Sequence, residues 1–230
     1  MNKKIFILIL PVLFLCLQIS IYYAQVKTIK NGIELNTADL NLKVQFYDEN
    51  IVRIVKWSRD GTSEKLSLSV IKNSIPELTI KTEYTSNEIL LSSLKLLLKI
   101  SKISGNIEYL TLDKNTILKE KGTPLFNPVI YDSDSGFTVQ QDFQLSPDEG
   151  IYGLGEQEDG YFNYRNKKVE LAQANVGASN SFLISTKNFG ILWDNNSKLF
   201  LRINLKVLHF GRIWVTISII ILFTAAIWMK

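Results

Sequence analysis

Residues 40–57 read LNLKVQFYDENIVRIVKW. Leu40, Leu42, Val44 and Phe46 alternate with Asn41, Lys43 and Gln45, a period of two that lays the apolar side chains along one face of an extended strand. The polar Asp48, Glu49 and Asn50 then reverse the chain into IVRIVKW, a second run rich in β-branched residues. A helix would need its apolar residues three and four apart, so this stretch predicts two consecutive antiparallel strands.

The same reading extends in both directions. LSLSVI (66–71) and LTIKTEY (78–84) are predicted strands on either side of a turn containing Pro76. LKLLLKI (94–100) alternates through Leu94, Leu96, Leu98 and Ile100, and GFTVQQDFQL (136–145) alternates again before SPDEG. Strands of roughly six to eight residues divided by polar turns predict an all-β fold, a β-sandwich. No internal repeat, low-complexity run or linker interrupts it.

The two ends differ from this middle. MNKKIFILILPVLFLCLQISIYYAQ has two lysines, an apolar run from Ile5 to about Leu17 and a small residue at Ala24. This layout predicts a secretory signal peptide over residues 1–24, cleaved before Gln25. Cys16 lies inside the apolar run and follows Leu15, which is too large for a lipoprotein signal. The exported chain then has no cysteine and folds without disulfides.

The formal net charge of +4 comes from the ends. Lys3, Lys4, Arg202, Lys206, Arg212 and Lys230 are six of the 26 basic residues, and no acid occurs in either end. Residues 25–198 therefore hold 20 basic groups against 22 acidic ones, a slightly acidic balance that gives nucleic acid no foothold. The disappearance of Asp and Glu after Asp194 marks a boundary of composition.

Between Ile151 and Ser197 the chain reads IYGLGEQEDGYFNYRNKKVELAQANVGASNSFLISTKNFGILWDNNS. Gly153 and Gly155 allow a tight backbone path around Leu154. The polar, aromatic segment that follows is too long and charged for a hairpin and predicts an ordered surface loop, where ligand contacts concentrate. SFLIST and GILWDN predict a hairpin turning through KNFG.

This segment resembles the end of the N-terminal β-sandwich of family 31 glycoside hydrolases, the α-glucosidase and α-xylosidase family. The shared pattern is YGLGE, an Asn-x-Arg segment (Asn163, Arg165), a Gln-x-Asn segment (Gln173, Asn175) and the GILWDN strand. The Asn-x-Arg and Gln-x-Asn details are more similar to the α-xylosidase branch. The resemblance spans residues 26–198, sharpest from Tyr152 to Ser197, and implies a galactose-mutarotase-like sandwich. Three residues depart from the pattern: Asn166 and Asn188 replace glycines and Ser181 replaces a proline, which points to a divergent loop.

The resemblance also implies which chemistry the chain holds. Retaining glycosidases work with two carboxylates about 5 Å apart. In this family both are aspartates on a barrel that follows the sandwich, so no catalytic residue is expected here, and Asp194 of WDNNS belongs to the hairpin. Glu156, Asp159 and Glu170 read as solvated loop charges. Asn163, Arg165, Gln173 and Asn175 match the loop on the sugar side, and their planar amide and guanidinium groups suit hydroxyl recognition; ordering the loop is the equal alternative. Tyr152 and Trp193 read as core rather than as sugar platforms. The sole histidine, His209, excludes a Ser-His-Asp set or a histidine metal cluster. DSDSG from Asp132 reads as a turn rather than a calcium loop, so no metal or cofactor is called for. The implied partners are an α-linked oligosaccharide and a catalytic barrel.

Residues 199–230 admit two readings. Ile213–Met229 has the apolarity of a short membrane-spanning helix, which would make the chain a membrane-anchored carbohydrate-binding module. The other reading is a lost base near the Lys198 codon. Regrouping the bases of VLHFGRIWVTISIIILFTAAIWMK one place over permits TSFWSDLGDNINYYFIYGSNMDE, which has acids, turns and the family's strand-like continuation. Asn and Tyr codons read one base late become isoleucine codons, which explains the apolarity, and the shift of frame also explains the loss of every acid at once. The frameshift is the main expectation, with an exported (periplasmic or secreted) fragment as its product.

Overall fold

The computed structural model describes residues 24–59, 61, 67, 69–70, 74–131, 134–158, 160–173, 177–195, 197–204, 206–215 and 218–224. The signal-peptide reading of residues 1–24 therefore lies almost wholly outside the described residues. Among the described residues every regular element is a β-strand, arranged as two antiparallel sheets.

One sheet runs in the order β1 (Gln25–Ile29), β2 (Gly32–Asn36), β3 (Leu40–Asp48), β4 (Ile51–Ser58), β17 (Ser218–Thr224), β14 (Phe189–Trp193), β13 (Ala178–Ser185), β11 (Ile151–Glu156). The facing sheet runs β12 (Lys168–Leu171), β15 (Leu199–Ile203), β16 (Val207–Val215), β10 (Asp134–Gln144), β9 (Thr116–Tyr131), β8 (Ile107–Leu110), β7 (Leu97–Ser101), β6 (Glu88–Ser92), β5 (Lys81–Tyr84). The predicted β-sandwich is the observed fold.

The alternation in residues 40–57 fixes which face turns inward. Leu40, Leu42, Val44 and Phe46 on β3 and Val52 and Ile54 on β4 are all buried. They meet Ile89, Leu98, Ile100, Tyr109 and Phe143 of the facing sheet in one continuous core. Trp193 is fully enclosed and stacks on Phe210, ring centroids 4.8 Å apart and 5° from parallel. Removing each such large apolar side chain from water contributes about 1.5–3 kcal/mol.

The next inward position on β4 is Lys56, 1% exposed among these apolar neighbours. Its ammonium lies 2.5 Å from Glu120 of β9 and donates to Gln141 Oε1 of β10 at 3.2 Å. The same Glu120 oxygen accepts the Ile107 amide of β8 at 2.7 Å. Burial drives the Lys56 pKa down and the Glu120 pKa up, and their mutual attraction only partly opposes this. Burial, and then the charge of Glu120, raise the Tyr109 phenol well above its ordinary value.

Several strands differ from their expected bounds. Leu94 is exposed in the turn before β7, because Ser93 closes that turn by accepting the Lys95 and Leu96 amides, and inward alternation begins only at Leu96. LTIKTEY forms a strand only over its last four residues, and half of LSLSVI (66, 68 and 71) lies outside the described residues. The DSDSG flanks pair across a tight hairpin, with Tyr131 opposite Asp134.

The tail departs from the membrane-helix alternative for 213–229. Its described residues are extended: β16 pairs with β10 and β15, and β17 pairs with β4 on one side and β14 on the other. Ile220 stands opposite both Ile54 and Trp193. A strand with a neighbour on each side satisfies its backbone across the sheet rather than within a helix, and an apolar run suits such a central position. Among the described residues no helix is long and apolar enough to cross a membrane.

Candidate functional site

The predicted loop is anchored by the YGLGE segment, which is a bulged edge strand rather than a simple turn. Gly153, Leu154 and Gly155 have φ of 99°, 68° and 86°. A side chain at Gly155 would sit 2.0 Å from the Ala178 carbonyl oxygen, so only glycine lets β11 approach β13 there. The pairing register shifts between Gly153 and Gly155, and the shift turns Leu154 into the core. Leu154 tolerates its strained left-handed backbone because that burial compensates for it.

Two predicted site residues, Asn163 and Arg165, serve the loop itself. Asn163 Oδ1 accepts the amides of Ile151 at 3.2 Å and Arg165 at 3.0 Å. The Arg165 guanidinium donates to the carbonyls of Glu149 at 2.8 Å, Ser146 at 2.7 Å and Pro147 at 3.3 Å. Glu149 is buried, accepting the Ser146 amide at 2.8 Å through Oε2 and the Ser185 hydroxyl at 2.5 Å through Oε1. These contacts lock residues 146–151 against the loop and against the end of β13.

Gln173 lies elsewhere, where β12 leaves its sheet. Its Oε1 accepts the Ser179 amide at 3.3 Å, and the Ser179 hydroxyl donates to the Ala172 carbonyl at 2.8 Å. Asn175 lies outside the described residues. Of the three described residues, Asn163 and Arg165 share one set of backbone partners and Gln173 has another.

Beside Gln173 the rims of the two sheets open into a cleft of about 320 Å³. Among the described residues its polar lining is Gln173, Ser179, Ser181, Asn195, Ser197 and Lys198, over a floor of Leu171 and Ala172. Asn195 is buried, and its Oδ1 accepts the Ser197 amide at 3.4 Å. Lys198 forms an ion pair with Glu170, and its ammonium stands 5.2 Å over the Phe200 ring. Ser181, Asn195, Ser197 and Lys198 were not predicted as site residues. Ser181 carried the available signal, being the residue that replaces the usual proline.

The other two departures have a backbone explanation. Asn166 and Asn188 have φ of 61° and 62°, the left-handed region that asparagine tolerates best after glycine. They preserve the turns that glycine would make, which corrects the reading of a divergent loop at these two positions.

The remaining candidates separate by burial. Trp193 is core, as expected, whereas Tyr152 is half-buried with its ring 5.1 Å from Phe162, which is 85% exposed. Asp194 is buried at the end of β14, Glu156 is exposed, and Asp159 lies outside the described residues. His209 is part of β16, with Nδ1 2.6 Å from Asp142 Oδ1.

Residues 41–201 match the model of the glycosyl hydrolase 31 N-terminal galactose mutarotase-like domain. The chain belongs to that family. It is 31% identical over 183 residues to an α-xylosidase of Saccharolobus solfataricus, a match that covers 71% of this chain and 23% of that protein. The crystal structure of a Xanthomonas citri α-xylosidase of family 31 superposes with a TM-score of 0.72 at 24% identity, over 76% of this chain and 20% of the other. A soil-metagenome family 31 α-xylosidase, solved with xylose, gives 0.76 at 17% identity over 88% and 32%. The chain thus spans less than a third of the length of each of these relatives, all within the mutarotase-like fold.

Proposed function

We propose that this chain is the N-terminal, carbohydrate-associated domain of an exported α-glycosidase of the α-glucosidase or α-xylosidase type, and that it does not hydrolyse glycosides by itself. The observation that carries this reading is the family match over residues 41–201, reinforced by the identity to an α-xylosidase. The acids near the loop fit a non-catalytic domain: Glu170 is tied to Lys198, and Asp194 closes a core strand. In this reading Gln173 faces the oligosaccharide in the complete enzyme, and Asn163 and Arg165 shape the neighbouring loop. Export rests on the signal-like residues 1–24.

Residues 199–230 are, in the same reading, the product of a shifted frame. The regrouped string would set NYYFIY over the positions that β17 occupies between β4 and β14 in the present chain. Isoleucine read from shifted Asn and Tyr codons keeps β propensity, which is why the sandwich accommodates it.

Restoring one base at the Lys198 codon and assaying both products tests the proposal. The chain as it stands should turn over neither aryl α-xylosides nor aryl α-glucosides, and the restored frame should run on and yield an exported glycosidase. A stop codon within a few residues of the restored site, or hydrolysis by the present chain, would overturn it.

A further inference from the structure

We infer that the cleft beside Gln173 is a binding site in its own right for one neutral sugar residue, and that Ser181 is its principal determinant. The volume of about 320 Å³ lies at the lower end of the roughly 300–1,000 Å³ of small-molecule sites, enough for one ring rather than a chain. The lining alternates hydroxyls and amides, groups that donate and accept at once and so match a ring of vicinal hydroxyls. Leu171 and Ala172 add apolar lining against which a sugar's C–H face can pack.

Charge decides between neutral and anionic ligands. The one ionisable group in the described lining is Lys198, and its ammonium is neutralised by Glu170. A carboxylate or phosphate entering the cleft would have to compete with that carboxylate, whereas a neutral polyol would not. The hydrogen-bonding capacity is also open. Gln173 uses Oε1 on the Ser179 amide, and neither its Nε2 nor the Ser181 hydroxyl meets a partner among the described residues.

The inference rests on the carbohydrate reading above for the choice of ligand, but its test needs no catalytic domain. Saturation-transfer NMR on the full chain with methyl α-xyloside, methyl α-glucoside and glucuronate reads binding directly. Both neutral glycosides should bind in the millimolar range and compete with each other, and glucuronate should bind more weakly. Ser181→Ala should weaken binding roughly threefold by removing one hydrogen bond, and Ser181→Leu, which fills the cleft, roughly tenfold or more. Thermal unfolding of the Ala variant should match the parent, because the hydroxyl supports no other group. Absence of saturation transfer from the parent chain to either neutral glycoside, tighter binding of glucuronate, or affinity unchanged in both variants would overturn the inference. A cleft that binds nothing would leave the restored-frame assay free to succeed or fail on its own terms.

Discussion

The polar cluster between the sheets at Lys56 and the polar cleft beside Gln173 are opposite solutions in one molecule. At Lys56 the side chains are fully enclosed and turned on one another, with ammonium, carboxylate, amide and a backbone N–H meeting within hydrogen-bonding distance. Beside Gln173 the Ser179 amide and hydroxyl are tied to Gln173 and to the Ala172 carbonyl, while the Ser181 hydroxyl meets no partner among the described residues. The half-buried Arg165 guanidinium lies between the two, because three backbone carbonyls already take its donors.

The largest effect should come from breaking the enclosed pair. Lys56→Met leaves Glu120 buried without its partner and should destabilise the domain by about 3–5 kcal/mol in denaturant unfolding. The double variant Lys56→Met/Glu120→Leu should recover most of that loss, since both pKa shifts run in the direction that opposes folding. The raised Glu120 pKa contributes stability only below the ordinary carboxylate range and loses it as pH rises through the shifted value. The depressed Lys56 pKa contributes only above the ordinary lysine range and loses it as pH falls through its own. A double variant as unstable as the single one would show that the pair is a net support rather than a net burden.

A middle-sized effect is expected at Arg165. Arg165→Ala strips donors from three carbonyls and should reduce stability by about 2–3 kcal/mol, with faster hydrogen exchange confined to residues 146–151 and 160–167. Sugar binding in the Ser181 cleft should survive in the fraction that remains folded. Equal loss of binding and of loop protection would join the two regions that the geometry separates.

The smallest effect belongs to a partly exposed counterpart of the enclosed pair, Lys99 and Glu108. Burial opposes ionisation of Glu108, but hydrogen bonds from Lys99 and Thr116 outweigh it and hold its pKa below the usual range; the Lys99 contact is 2.7 Å. Glu108 therefore contributes stability above the ordinary carboxylate pKa and loses it as pH falls through the depressed value. Glu108→Gln should remove that acid-range slope and cost at most about 1 kcal/mol at neutral pH, the usual limit for a solvent-exposed pair. A larger loss would mean that the second sheet depends on this edge of its surface.

The sequence alone determined the fold class, because a period of two leaves an apolar face that only a second sheet can cover; Leu40 to Phe46 and Val52 to Ile54 are buried as their spacing demands. It also determined the family, through YGLGE and GILWDN, whose glycines answer local steric demands that any chain taking this path must meet. Tertiary structure decided what periodicity cannot encode. Lys56 is polar at an inward position, and only the arrival of Glu120 and Gln141 from distant strands makes that position tenable. Asn163 and Arg165 look like recognition residues until the carbonyls of residues 146–149 come within reach, and Ser181 looks like a surface serine until β12 and β15 bring Gln173 and Lys198 beside it. A strand's inward face follows from nearest neighbours along the chain, whereas the availability of a polar group depends on which backbone packs against it, and that is settled only when the two sheets close.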